Sequence, residues 1–248
     1  MPLDAQTLLA ARAAQLDDRH RDAGAPEIFA AALALGPVAV ASSFGADSVV
    51  LLHMASRIDA SVPVLFLETG MLFRETLAYQ RAVARAVGLR DVRVIRPAAE
   101  DLFLHDPDSD LHGRDPDLCC TLRKVRPLEV ALQGFDAWVT GRRRTQGTGR
   151  SRLPTFEAEG GRIKANPLAG WDRAAVRRYM EVHALPRHPL VARGFPSIGC
   201  APCTTRVAPG EDDRAGRWRG RSKTECGIHF AGGVAVRADG SIAGGVAP

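Results

Sequence analysis

A short apolar strand, Val38-Ala39-Val40-Ala41, runs without a break into Ser42-Ser43-Phe44-Gly45-Ala46-Asp47-Ser48 and then into the apolar run Val49-Val50-Leu51-Leu52-His53-Met54, which reads as a buried helix. The same order returns downstream: Pro63 to Leu67 predicts a second strand, Leu72 to Val87 a second helix and Val92 to Ile95 a third strand. Strand, loop and helix repeated at this spacing leave few architectures, and the expected class is α/β, a parallel sheet flanked by helices. Residues 136–140 predict a further strand, ending at Gly141. Leu118 to Leu132 and Asp172 to Val182 predict helices, with a short hairpin ahead of the second. The first ~35 residues have helical spacing closed by Gly36-Pro37. Between Glu100 and Asp117 acids dominate and prolines stand at 107 and 116, so an irregular surface stretch is expected there.

At 248 residues the chain suits one large domain or two small ones. The expected division is a body over 1–205 and a flexible C-terminal segment over 206–248, whose last eighteen positions are rich in glycine. Apolar residues at 46% and charged residues at 25% exclude general disorder. The longest apolar run, Ile28 to Leu35, is far short of the ~20 residues that span a bilayer. The N-terminus mixes acids and bases along its length and lacks the apolar core of a signal peptide. No membrane helix and a cytoplasmic location are expected.

The turn from Ser42 to Ser48 places hydroxyls and backbone N–H groups at the carboxyl end of a strand and the start of a helix, where dipole and donors favour an anion, usually a phosphate. It lacks the lysine-bearing Walker pattern; the bland alternative is a serine-rich helix cap. The second strand ends in a comparable turn, Leu67-Glu68-Thr69-Gly70. In an open parallel sheet the ligand crevice lies outside the carboxyl ends of the strands. Net charge is +5, and all basic residues other than Lys124, Lys164 and Lys223 are arginines. A charge run is usually a solvated face, but here there are two blocks. One holds Arg142, Arg143, Arg144, Arg150 and Arg152, the other Arg214, Arg217, Arg219, Arg221 and Lys223. Beside a phosphate turn they suit a substrate with several anionic oxygens, which guanidinium groups hold by paired hydrogen bonds.

Five cysteines fall as Cys119-Cys120, as Cys200-Ala201-Pro202-Cys203 and as Cys226 alone. The first four could be core thiols, disulfides, a zinc site or an iron–sulfur site. Disulfides are disfavoured in the cytoplasm, and four-thiolate zinc usually uses two C-x-x-C hooks. Side chains of a tandem pair on a regular helix point ~100° apart, so converging both on one centre requires a local bend. A bulky cluster, with more separated corners than one ion, is modestly favoured. Cys226, with cations near it in sequence and Gly227 after it, has the setting of a reactive thiolate.

Taken in order, these residues resemble the phosphoadenylyl/adenylyl-sulfate reductases, which have the adenine-nucleotide α-hydrolase-like fold. The Ser42–Ser48 turn resembles the family's modified phosphate loop. The stretch from Phe66 to Thr76 resembles FLDTG-x-LF-x-ET, Cys119 to Val125 resembles CC-x-x-RK-V, and Glu225-Cys226-Gly227-Ile228-His229 resembles ECG-[IL]-H. The resemblance runs from about Ser42 to His229. Its paired-cysteine motifs mark the subgroup that carries a 4Fe-4S cluster and prefers adenosine 5′-phosphosulfate (APS). It implies Cys119, Cys120, Cys200 and Cys203 as cluster ligands, Cys226 as nucleophile, and Lys124 and His229 as further catalytic residues. Substrate contacts are implied for Ser43, Phe44, Asp47, Ser48, Leu67, Thr69, Gly70, Gly141, Arg150, Arg214 and Arg217. Glu68 stands where the family has aspartate, so the nucleotide contact there is expected to shift. Thr145 and Gly147 replace an aspartate and a serine able to orient neighbouring arginines.

The implied activity is reduction of APS to sulfite and AMP through an S-sulfocysteine on the enzyme. Thioredoxin or glutaredoxin is the implied reductant, with a possible homo-oligomer and neither nucleic acid nor membrane as partner. The rival readings are reduction of the 3′-phosphorylated nucleotide, an ATP-dependent thiolation enzyme of the same fold, and an iron–sulfur regulator of nucleic acid. Phe44 replaces the first glycine of the S-G-G-x-D-S loop usual in the thiolation enzymes. Aromatic residues at 6% leave few stacking platforms for nucleic acid.

Overall fold

The computed structural model describes residues 4–223, 225, 230–231 and 234–235. Helices α1 (Ala5–Arg19) and α2 (Ala25–Leu33) precede a six-stranded sheet built from β1 (Val38–Ser42), β2 (Val64–Leu67), β3 (Val92–Ile95), β4 (Ala137–Val139), β5 (Phe156–Glu159) and β6 (Arg162–Ala165). The spatial order is β3-β2-β1-β4-β6-β5, parallel throughout except for the β5–β6 hairpin.

The alternation of side chains along each strand decides which layer it feeds. Val38, Val40, Val64, Phe66, Ala137 and Val139 turn to one face. There they pack against α2, α3 (Ser48–Ile58), α4 (Arg74–Val87) and α9 (Arg173–Val182). Their neighbours Ala39, Leu65, Leu67 and Trp138 turn to the other face and meet Leu128 and Leu132, at and just beyond α8 (Arg126–Ala131). With both faces covered, the inner strands are apolar on both sides, as expected of a parallel sheet. After β3 the chain crosses to the second face and returns as β4 on the far side of β1, so the strand order reverses between β1 and β4. That reversal opens a crevice above the ends of these two strands.

The strands, α3, α4 and α9 agree with the sequence expectation to within a few residues. The acidic stretch does not. It forms α5 (Ala99–His105), α6 (Leu111–Arg114) and α7 (Pro116–Cys120). Glu100 and Asp101 lie in the first turn of α5, where the helix dipole favours carboxylates, and Asp115 caps α7 by accepting from the N–H groups of Asp117 and Leu118. The helix expected over 118–132 is interrupted by a π-helical turn, Thr121–Val125, between α7 and α8. No helix among the described residues is long and apolar enough to cross a membrane.

Candidate active site

The loop from β1 to α3 is shaped by its own serine. Ser42 Oγ accepts the N–H of Phe44 at 3.1 Å, and Phe44 sits at φ 49°, a left-handed conformation costly for a residue with a Cβ. Burial offsets that cost: the ring is fully inaccessible and meets Phe66 edge-on, with centroids 5.2 Å apart. Gly45 then passes beneath the Ile198 carbonyl, which a Cβ there would approach to 3.2 Å. Asp47 precedes α3 but does not cap it; its Oδ2 accepts from Arg143 Nη2 at 2.7 Å, joining the loop after β1 to the loop after β4.

These loops border a cavity of ≈ 470 Å³ above the strand ends. Ser43, Asp47 and Ser48 line it after β1, Leu67 and Thr69 from the end of β2, Lys124 from the π-turn, Gly141 from the end of β4, and Arg150, Arg214 and Arg217 from later in the chain. The chain thus gathers most of the substrate contacts expected from sequence. It does not bring Phe44 or Gly70 to the cavity lining: Phe44 is a core residue that sets the loop, and Gly70, at φ 73°, lies beside the Arg123 side chain. Glu68 also stands outside the lining. Its Oε1 accepts the Gly70 N–H at 2.7 Å and its Oε2 pairs with Arg96 at 3.0 Å.

The wall carries more positive charge than the motif residues alone suggest. Arg143 is 5% exposed, and its Nε and Nη1 have no hydrogen-bond partner among the described residues, as is also true of Arg217 Nε and Trp218 Nε1. Arg143, Arg217 and Trp218 all line the cavity, where buried and unsatisfied donors favour an anion. The Arg217 guanidinium lies over the Trp218 ring at 4.4 Å and rests on Gly199, where a Cβ would collide with it. Sequence reasoning named Arg143 only as part of a block and missed Trp218, Gln146 and Glu225 as cavity residues. The signal for Arg143 was its place just beyond Gly141 at the end of a strand. The orienting role expected of a carboxylate at 145 and a hydroxyl at 147 falls to Gln146 and Glu225, both of which accept from Arg150.

The four clustered cysteines lie on one side of this cavity. Cys119 and Cys120 end α7 in regular helical geometry, and a π-turn, Thr121–Val125, follows them. Cys200 is bridged to Leu72, Ala201 N–H donates to the Met71 carbonyl at 2.8 Å, and Cys200 Sγ lies 3.3 Å from Thr69 Oγ1. All four stand outside any disulfide. Burial drives the Cys119 thiol up to about 12, and Cys120, Cys200 and Cys203 push the same way against the opposing charge of Arg123. Burial and Cys200 raise Cys203, against the opposing charges of Lys124, Arg221 and Arg217. Lys124 thus lines the cavity and also acts on a cysteine. Among the described residues no three His, Cys, Asp or Glu side chains come together closely enough to hold a single metal ion. Four thiols from two chain segments, none in a disulfide, are a donor set of the kind that holds an iron–sulfur group.

Cys226 and His229, expected to be catalytic, lie outside the described residues. Glu225, immediately before Cys226, is described and borders the cavity.

The model of the phosphoadenosine phosphosulfate reductase domain matches residues 37–206. A protein of Chelativorans sp. (strain BNC1), named adenosine 5′-phosphosulfate reductase, is 48% identical over 93% of this chain and 94% of its own length. One of the same name from Mesorhizobium japonicum is 48% identical over 96% and 95%. The crystal structure of a phosphoadenylyl-sulfate reductase from Candida auris, a phosphate complex, superposes with TM-score 0.69 at 28% identity, covering 84% of this chain and 99% of that one. An FMN adenylyltransferase from Candida glabrata shares the fold alone, at TM-score 0.54 and 16% identity, over 93% of this chain and 82% of that one. With that domain matched over most of the chain and relatives 48% identical nearly end to end, the chain belongs to the phosphoadenosine phosphosulfate reductase family.

Proposed function

We propose that this protein reduces adenosine 5′-phosphosulfate to sulfite and AMP in sulfate assimilation, supplying sulfite for cysteine synthesis. The observation that carries the reading is the name and likeness of the relatives: those matched nearly end to end at 48% identity are adenosine 5′-phosphosulfate reductases. The cationic cavity at the β1–β4 reversal supports it, since its size and charge suit a nucleotide bearing a sulfonyl group.

Cys226 is the nucleophile in this reading. Its thiolate attacks the sulfonyl sulfur, the bond from that sulfur to the bridging oxygen breaks, and AMP leaves with the electron pair. The product on the enzyme is an S-sulfocysteine. A dithiol protein of the thioredoxin or glutaredoxin class then attacks Cys226 Sγ and sulfite departs with the S–S bonding pair. Closure of the reductant's disulfide supplies the two electrons of the reaction. Splitting the reduction into two displacements is covalent catalysis. Arg214, Arg217 and Lys124 offset charge on the sulfonyl oxygens and on the leaving phosphate. His229 adds a proton donor and acceptor three residues after the nucleophile in sequence.

Cys119, Cys120, Cys200 and Cys203 would hold a 4Fe-4S cluster. Bound there, the cluster supplies a fixed charge that orients Lys124 and tunes the field at the cavity. The reading includes a body over 1–205, a C-terminal segment over 206–248 that closes on substrate, and a cytoplasmic setting. The test is sulfite release by anaerobically purified protein with thioredoxin, assayed side by side on APS and on its 3′-phosphorylated form. Turnover of APS is expected to dominate. Preference for the 3′-phosphorylated form overturns the substrate assignment, and pyrophosphate release from ATP without sulfite overturns the activity.

A further inference from the structure

Trp218 sits at φ 48°, the same left-handed region as Phe44 and costly for a side chain of its bulk. Unlike Phe44 it lines the cavity. It is only 4% exposed, and its Nε1 has no hydrogen-bond partner among the described residues. A buried indole N–H usually finds an acceptor, so hydrogen bonding of the ring does not account for the strained backbone. The contact made by the ring does. Side chains of consecutive residues in extended chain point to opposite faces, whereas the left-handed turn at Trp218 brings its ring beside the side chain just before it, with the Arg217 guanidinium 4.4 Å from the ring centroid.

The backbone holds this run of chain against the loop of the second cysteine pair. Trp218 N–H donates to the Cys203 carbonyl at 3.1 Å and Thr205 N–H to the Gly216 carbonyl at 2.8 Å, while Thr204 and Arg217 form an antiparallel bridge. Gly216 permits the approach, since a Cβ there would collide with the Thr205 carbonyl. Ring, main chain and the bare face of Gly199 together leave the Arg217 guanidinium one seat in the cavity wall.

We infer that Trp218 is a positioning residue for substrate binding, its ring presenting the Arg217 guanidinium to the phosphate of the nucleotide. This deepens the reading of Arg217 as a substrate contact and rests on it. An aromatic face holds a guanidinium without neutralising it, so the charge stays available to an anion, whereas a carboxylate partner would cancel it. The competing use of Trp218 is as a filler of the wall. A filler gains nothing from an unpaired N–H in a dry place, where leucine or phenylalanine would serve; a ring that holds a cation gains most from indole, the strongest of the aromatic faces.

The test uses the full-length holoprotein and compares wild type with Arg217→Gln, Trp218→Leu, Trp218→Phe and the double variant Arg217→Gln/Trp218→Leu. A parallel series carries tryptophans of rising fluorination at position 218, which drain the ring face of negative charge with little change of shape. AMP affinity is read by equilibrium titration, and kcat and KM are read for APS. Trp218→Leu is expected to weaken AMP binding and raise the KM for APS by about tenfold, as Arg217→Gln does, with Trp218→Phe within about threefold of wild type. The double variant is expected to lie within about twofold of Arg217→Gln, because both changes remove one interaction. AMP affinity is expected to fall stepwise along the fluorinated series, which decides the matter even where Trp218→Leu fails to fold. A flat response to fluorination, or losses that add in the double variant, overturns the positioning role. Absence of sulfite from APS in a wild type that binds AMP overturns the reaction instead, and the AMP titrations then decide Trp218 alone.

Discussion

The Thr69 hydroxyl stands 3.3 Å from Cys200 Sγ, so a residue at the end of β2 that lines the nucleotide cavity also touches one of the four clustered thiols. The Thr69 carbonyl accepts from Arg123 Nη1 at 2.9 Å, and Arg123 lies in the π-turn beside Lys124. Cavity and cysteine group are therefore two sides of one wall. Thr69→Val keeps the shape but removes an acceptor from the Met71 N–H as well as the thiol contact. It is expected to cost about 1–3 kcal/mol in denaturant unfolding and, with the proposed cluster bound, to speed loss of its absorbance in air relative to wild type.

Behind that wall, Arg123 and Asp106 form a buried pair at 2.5 Å, and Asp106 also accepts the Leu111 N–H. Burial works against the charged carboxylate, yet Arg123 and Leu111 hold Asp106 below its ordinary value. Asp106→Asn leaves Arg123 charged and unpaired in the interior, a loss of about 3–5 kcal/mol. Replacing the pair together, with Asp106→Leu and Arg123→Met, is expected to cost less than Asp106→Asn alone. Urea unfolding of the three proteins checks the order.

A pH response is expected from His188, which is 1% exposed. Its Nδ1 accepts the Leu190 N–H at 3.2 Å, so its Nε2 carries the proton toward Thr76 Oγ1 at 3.0 Å and the ring is neutral. Burial lowers its pKa to about 4, against a weaker opposing pull from Glu75. The unfolded chain, titrating near 6.5, binds the proton first. The contribution of His188 is therefore complete above about pH 6.5 and is lost as pH falls from there toward 4. Thermal unfolding from pH 7.5 to 4.5 is expected to show a shallower acid loss in His188→Gln than in wild type.

Gly199 has no space for a Cβ because the Arg217 guanidinium packs against it. Gly199→Ala is expected to displace that guanidinium from the cavity wall while leaving the sheet intact. Loss of one charged contact to the substrate corresponds to about 1.5–3 kcal/mol, seen as a raised KM for APS with circular dichroism unchanged.

The parallel order of β1, β2 and β3 and the strand-to-helix turn at Ser42–Ser48 were readable because alternation, apolar runs and turn residues are local signals. The π-turn in Thr121–Val125 was not readable, because no residue pattern in that stretch breaks the helical period. Helices α5, α6 and α7 were missed because four to seven residues are too few for a helical period to stand out among aspartates and prolines. Phe44 was expected at the nucleotide because it sits inside the motif. Its left-handed φ, set by Ser42, sends the ring into the core instead. The Arg150–Glu225 pair joins residues 75 positions apart, and no local pattern encodes a contact made only after β4 and the C-terminal segment meet.

The measurement closest to the central claim is mass spectrometry of the protein incubated with APS alone, without reductant. A sulfonate on Cys226 is expected in wild type, released as sulfite when thioredoxin is added, and absent from Cys226→Ser. A sulfonate that persists in Cys226→Ser, or its absence from wild type while sulfite is still produced, contradicts the account.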